Sequence, residues 1–122
     1  MTANEFQKEA HQFADYPVPT LYEDFHENTV SNSLDYTYPA LGLVEEAGEV
    51  AGKYAKAVRD CNGTIDSDRK ELIKKELGDV MWFVAELSTL LGITLEEVMA
   101  ANIEKLTSRK NRNVIHGDGD LR

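Results

Sequence analysis

Residues 67–92 read SDRKELIKKELGDVMWFVAELSTLLG, and this stretch decides the fold class. Ile73, Leu77, Val80, Val84, Leu87 and Leu91 recur at alternating steps of four and three, which predicts one seam along a helix ending at Gly92. Asp66 or Ser67 can cap its start. On the C-terminal side, Thr94 and Glu97 form a capping box that opens a further helix through Val98, Met99, Ile103 and Leu106 to about Asn111. On the N-terminal side, CNGTIDSD between Cys61 and Asp68 is turn chemistry. Before that turn, Leu41, Val44, Gly48, Ala51, Ala55 and Val58 repeat at the same alternating steps, with Pro39 suited to the first turn. They predict one buried stripe, small in the middle, where Gly48 and Gly52 let another helix backbone come close. Thr2 to about Asp15 reads as a short helix through Phe6, Ala10 and Phe13, closed by Pro17 and Pro19. From Thr20 to Tyr38 a connector follows, with a helical turn expected near Leu21 to Asn28. No pattern of period two and no internal repeat occurs, so the class is all-α, a small four-helix-type bundle.

With 122 residues the chain fits one domain and one core. Its 13 Lys and Arg against 22 Asp and Glu give a formal net charge of -9, which sets Coulomb repulsion against binding polymeric nucleic acid or an anionic membrane. A small phosphate ligand stays possible, because a divalent cation reverses the local field. Cys61 is the single cysteine, so no intrachain disulfide forms. The absence of any run of 18 apolar residues and the charges within the first residues lead to the expectation of a soluble, cytoplasmic protein. Asn62, Gly63 and Thr64 spell a glycosylation sequon but read better as a turn.

The chemistry-bearing residues are acids. Glu45, Glu46 and Glu49 make an EExxE motif in the second helix, and Glu76 and Asp79 an ExxD motif in the third. Residues three or four apart share a helix face, so Glu46 with Glu49 and Glu76 with Asp79 each aim two carboxylates in one direction. The row Leu72, Glu76, Asp79, Phe83, Leu90 runs beside the core row, at the edge of an interface. If the two helices pack antiparallel, four carboxylates converge. Two carboxylates ~4 Å apart repel by about 4 kcal/mol at an effective dielectric of about 20, so the cluster calls for protons or cations. Hard, oxygen-seeking Mg²⁺, or Mn²⁺ in its place, answers that need. Either motif alone is equally well a solvated acidic face; together, on consecutive helices, they point to a site.

The order EExxE, 26 intervening residues, then ExxD, with YPALGLVEEAGEVAGK and KKELGDVMWFVAELS around them, resembles the MazG-like all-α nucleoside triphosphate pyrophosphohydrolases. Asn102 and Lys105 match that family's NxxK element, and KLTSRKNR followed by HGDGDLR is similar to its basic stretch and GDG ending. One departure is Asn113 after Arg112, where the family often has glycine. The resemblance implies a single domain with a variable part at residues 1–37, catalytic helices at 38–112 and a tail at 113–122, assembling as a homodimer or homotetramer. It implies that Glu46, Glu49, Glu76 and Asp79 bind Mg²⁺. Glu45 lies about 100° around the helix from Glu46. It is assigned as general base, deprotonating the water that attacks the α-phosphorus while pyrophosphate leaves. Lys53, Lys105, Arg109 and Arg112 are candidates to neutralise the triphosphate, and Asn102 to donate a hydrogen bond; for Lys53 and Arg109 a solvated face is an equal reading.

The expected function is Mg²⁺-dependent hydrolysis of a nucleoside triphosphate, a deoxynucleotide for preference, to monophosphate and pyrophosphate. The alternative is a noncatalytic helical interaction module whose acids only solvate or buffer metal. Glu23, Asp24, Glu27 and Asp35 can each accept two hydrogen bonds from guanine, a lean to dGTP, while Asn28 and Asn32 serve other bases equally. GEVAGKY at 48–54 is no P-loop: it is one residue short, lacks Ser or Thr after Lys53 and follows no strand. Glu23 and His26 form one ExxH where a di-iron bundle needs two. Trp82, Tyr36, Tyr38 and Phe83 suit packing better than base stacking.

Overall fold

Helix boundaries follow the local chemistry. The structure, a computed structural model, describes residues 1–16 and 36–119. In chain order these form α1 (Ala3–His11), α2 (Thr37–Cys61), α3 (Ser67–Leu90) and α4 (Leu95–Asn111), with no strand among the described residues. The protein is all-α, as the seam in 67–92 requires. The turn expected near Leu21, the residues Glu23, Asp24, His26, Glu27, Asn28, Asn32 and Asp35, and positions 120–122 lie outside the described residues.

Thr2 and Glu5 close a capping box on α1, and Thr94 and Glu97 close another on α4. The Asp66 carboxylate accepts the Arg69 amide at 2.9 Å and starts α3. Each cap satisfies amide groups that the first turn leaves without a carbonyl. Asn62 (φ 52°) and Gly63 (φ 79°) stop α2 by turning left-handed, and Gly92 (φ 69°) does the same after α3. Asn113 also adopts φ 56°, so an asparagine, the non-glycine residue best suited to that conformation, takes the position where glycine is usual in the resemblance. α1 ends at His11, short of the expected Asp15, and the chain then turns to bring Tyr16 onto α3.

α3 is the central helix. α2 packs antiparallel along it, α1 lies on its C-terminal half, and the chain bends by 104° into α4. Ala10, Ala85 and Leu95 form a buried cluster with Phe6 and Trp82 around it, and the Trp82 indole donates to the Ala10 carbonyl at 2.9 Å. α1 also holds the start of α4: Gln7 Oε1 accepts the Leu95 amide at 2.7 Å and Asn4 Oδ1 accepts the Glu96 amide at 3.2 Å.

Two packing expectations are corrected. The stripe Leu41, Val44, Gly48, Ala51, Ala55, Val58 is not the face α2 buries within the chain; Leu41, Val44 and Val58 are 66%, 70% and 67% exposed. α2 instead turns Pro39, Gly42, Glu46, Val50, Lys53 and Ala57 inward, a row on nearly the opposite side of a helix of 3.6 residues per turn. Both rows keep helical spacing, and α3 takes the one that carries the acid and the lysine. The close-approach glycine is accordingly Gly42, where a methyl group would meet the Phe83 ring at 2.2 Å, whereas Gly48 and Gly52 face open space. On α3, Ile73 is buried, but Leu77 and Leu91 are half exposed, while Phe83, Ala85, Glu86 and Ser88 are buried. Two helices cover α3 from different sides, so one seven-residue seam cannot describe its burial.

Candidate active site

The α2–α3 hairpin sets Glu46 opposite Glu76 and Asp79. One carboxylate oxygen from each lies within 4.8 Å of the others. Glu46 and Glu76 are half-buried and Asp79 is exposed, so the cluster opens to solvent at one side. Partial burial, and then the charges of Asp79, Glu76, Glu45 and Glu49, hold the Glu46 carboxyl above its ordinary value of 4.5.

Among the described residues, one cation enters this field. Lys53 Nζ sits 2.8 Å from Glu76 Oε1 and 3.7 Å from Glu49 Oε2. Its own helix supplies Glu49 one turn earlier, and α3 supplies Glu76 across the hairpin. Both partners hold the Lys53 ammonium above the ordinary lysine range, the Glu76 hydrogen bond being the larger cause. Glu49 stands outside the three-oxygen group and joins it through this lysine. Glu45 is exposed beside Glu46. Next to Lys53 opens a cleft of about 360 Å³ whose walls include Lys56, Arg69, Asp60 and Asp66. Arg69 and Asp66 pair at 2.8 Å, and Asp60 pairs with Arg59 at 2.6 Å.

The α4 residues lie elsewhere in the single chain. Asn102 and Lys105 line a shallow apolar depression with Ile93 and Val98, and α4 makes no packing contact with α2 among the described residues. Arg109 is 6% exposed, and its guanidinium donates to the Gly119 carbonyl at 3.3 Å, holding the tail. Arg112 donates to Ser108 Oγ at 3.3 Å.

Sequence reasoning missed a second acid. Glu86 is 1% exposed; Tyr16 donates a short hydrogen bond to it, and His11 Nδ1 lies 2.9 Å from its other oxygen. The row Leu72, Glu76, Asp79, Phe83, Leu90 steps over this position, and filling that gap at helical spacing would have found it. Lys56 and Arg69 were also missed; Lys56 follows Lys53 by three residues, the spacing of a shared face. Tyr16 stacks on Tyr38 at 4.9 Å between ring centres, and Trp82 meets Phe83 edge-on at 4.8 Å.

A helical hairpin that gathers carboxylates from EExxE and ExxD defines a class of acidic-site helical proteins, and the comparisons give it a family. The chain belongs to the MazG nucleotide pyrophosphohydrolase domain family, whose model matches residues 37–114. It is 48% identical over 86 residues to the Gene 37 protein of Mycobacterium phage L5, covering 70% of this chain and 75% of that one. It is 38% identical over 76 residues to the uncharacterized protein YvdC of Bacillus subtilis (strain 168), covering 55% of this chain and 68% of that one. No solved structure matches. No single helix among the described residues is long and apolar enough to cross a membrane.

Proposed function

We propose that the chain is a Mg²⁺-dependent pyrophosphohydrolase that converts a nucleoside triphosphate, a deoxynucleotide for preference, to its monophosphate and pyrophosphate. The observation that carries this reading is the convergence of Glu46, Glu76 and Asp79 across the hairpin within 4.8 Å. An all-oxygen donor set with excess negative charge fits a hard divalent cation, Mg²⁺ or Mn²⁺. Glu46, Glu49, Glu76 and Asp79 would hold it. When bound, such an ion supplies charge neutralisation at the phosphate oxygens and a more acidic water. Glu45, exposed at the edge, takes the proton of the attacking water as its oxygen bonds the α-phosphorus and the bridge to the β-phosphorus breaks. Lys53 then faces the leaving pyrophosphate.

The homodimer or homotetramer reading is supported by the uncovered side of α2, where Leu41, Val44 and Val58 are exposed, with Met81, Met99 and Ile103 exposed on α3 and α4. Within such an assembly, α4 of a second copy would bring Asn102, Lys105 and Arg112 towards the acids, which one chain does not do. A cytoplasmic location follows the nucleotide pool and the lone thiol. The lean to dGTP rests on residues outside the described ones, and turnover of all eight common nucleotides decides it.

Hydrolysis in ¹⁸O-labelled water tests the reading. Label is expected in the monophosphate, with pyrophosphate released in one step and no diphosphate formed. Label confined to pyrophosphate would move the attack to the β-phosphorus. No metal-dependent turnover of any nucleotide would favour the noncatalytic interaction module.

A further inference from the structure

Lys53 stands where a metal ion is expected to act. Its ammonium is 2.8 Å from Glu76 and 3.7 Å from Glu49, two of the four acids proposed to hold the divalent cation. The lysine side chain is 21% exposed and that of Glu76 17%, so the pair is shielded more than a surface ion pair on the same helix. A divalent ion and an ammonium cannot both stay against Glu76 without strong mutual repulsion, because the attraction each gains from the carboxylate is offset by the other's charge. Something must then take the displaced ammonium. Lys53 also lines the neighbouring cleft of about 360 Å³, whose wall carries two further cations, Lys56 and Arg69. Its flexible four-carbon stem lets one head group serve both places. Asp60, Asp66 and Asp68 line the same wall and Arg69 pairs with Asp66 at 2.8 Å, so an arriving phosphate competes with these carboxylates for the cations.

We propose that Lys53 is a tethered counter-ion that exchanges between two positions: it neutralises Glu76 and Glu49 without metal, and on metal binding moves into the cleft to meet the β- and γ-phosphates beside Lys56 and Arg69. Metal binding thereby assembles the phosphate site, and the triphosphate stabilises the lysine position that leaves the acids to the metal. Each ligand strengthens the other through one side chain, in addition to their direct attraction. The free acids meanwhile carry an internal cation, which keeps the cluster folded when metal is scarce. The inference rests on the proposed role of the four acids in holding metal.

The test uses the full chain, Mn²⁺ alone as the first probe and a nonhydrolysable triphosphate as the second, with affinities read by calorimetry and by the Mn²⁺ resonance signal. Lys53→Met should bind Mn²⁺ alone on the order of 10-fold more tightly than the wild type, because the ion no longer competes with an ammonium. With Mn²⁺ saturating, the same variant should bind the triphosphate on the order of 10-fold more weakly. Lys56→Met should weaken the triphosphate and leave Mn²⁺ alone unchanged. Lys53→Gln, which keeps a donor for Glu76 without the charge, carries the same expectation if the Met variant does not fold. Wild-type Mn²⁺ binding with unchanged or weaker binding in both Lys53 variants would overturn the exchange while leaving the metal site standing. No Mn²⁺ binding by any form would overturn the metal reading and the exchange with it.

Discussion

Two acidic positions on one face of α3 show how differently a fold treats a carboxyl group. Glu76 and Asp79 meet Glu46 across the hairpin, and Lys53 pairs with Glu76. Glu86, two turns beyond Asp79 and ~10 Å along the helix, is buried and receives Tyr16 and His11. Phe83 separates the two, packed against Gly42. The first position has more acceptors than donors and opens to solvent, so it is left needing an external cation. The second has its partners inside the chain and acts as a joint between α1 and α3. The lesson is that charge alone does not mark a functional acid; the shortage of internal partners does.

Glu86→Ala should give the largest effect and fall on the structural side. Removing the buried carboxyl takes away the acceptor of the Tyr16 hydroxyl and leaves a void, a loss of about 3 kcal/mol. Denaturant titration should show the midpoint falling with the slope unchanged, and a loss below about 0.5 kcal/mol would make the joint dispensable. Glu45→Gln should behave in the opposite way. Turnover should drop on the order of 10²-fold with the unfolding midpoint unmoved, because an exposed group contributes to rate and little to folding. Mg²⁺ titration separates the roles: amides at Glu46, Glu49, Glu76 or Asp79 should weaken metal as well, and an equal metal loss in Glu45→Gln would recast Glu45 as a ligand.

Gly42→Ala probes the divider between the two positions. A methyl group has no room beside the Phe83 ring, so the ring or the hairpin must shift, at about 1–3 kcal/mol. Gly48→Ala and Gly52→Ala, which face open space within one chain, should not destabilise an isolated chain. If sedimentation finds an oligomer for the wild type and either variant breaks it, that face of α2 is where copies meet.

The smallest effect is pH-dependent. The folded state holds Glu46 above its ordinary value of 4.5, so ionisation is easier in the unfolded chain. This contribution to stability is therefore present below the ordinary value and is lost as pH rises through the raised folded value. In chelator, Glu46→Gln should gain on the wild type as pH climbs from 4 towards 7, read as the difference in melting temperature between the two. Saturating Mg²⁺ should reverse that gain at pH 7, since only the wild type offers the full ligand set.

Much of this was legible in the residues themselves. The Asp66 cap, the Thr94–Glu97 capping box and the stop at Gly92 each depend on neighbours within about four positions, and the structure keeps all three. The convergence of Glu46 with Glu76 and Asp79 was also foreseeable, because a short turn between two long helices forces them antiparallel. The choice between two helical rows on α2 was not, since periodicity gives a row's spacing and says nothing of which side meets a partner.

What the sequence determined by itself was the set of four helices, the caps and stops of α3 and α4, the turn after α2 and the pairing of two acidic motifs, because capping, turn geometry and helical spacing are local. The tertiary structure alone decided that Lys53 pairs with Glu76 across the hairpin. It alone decided that Gly42 admits Phe83 and that α1 delivers His11 and Tyr16 to Glu86. It also set α4 away from α2 in the single chain. Those outcomes depend on which faces meet between segments far apart in sequence, where burial of apolar area and satisfaction of buried polar groups compete over the whole chain.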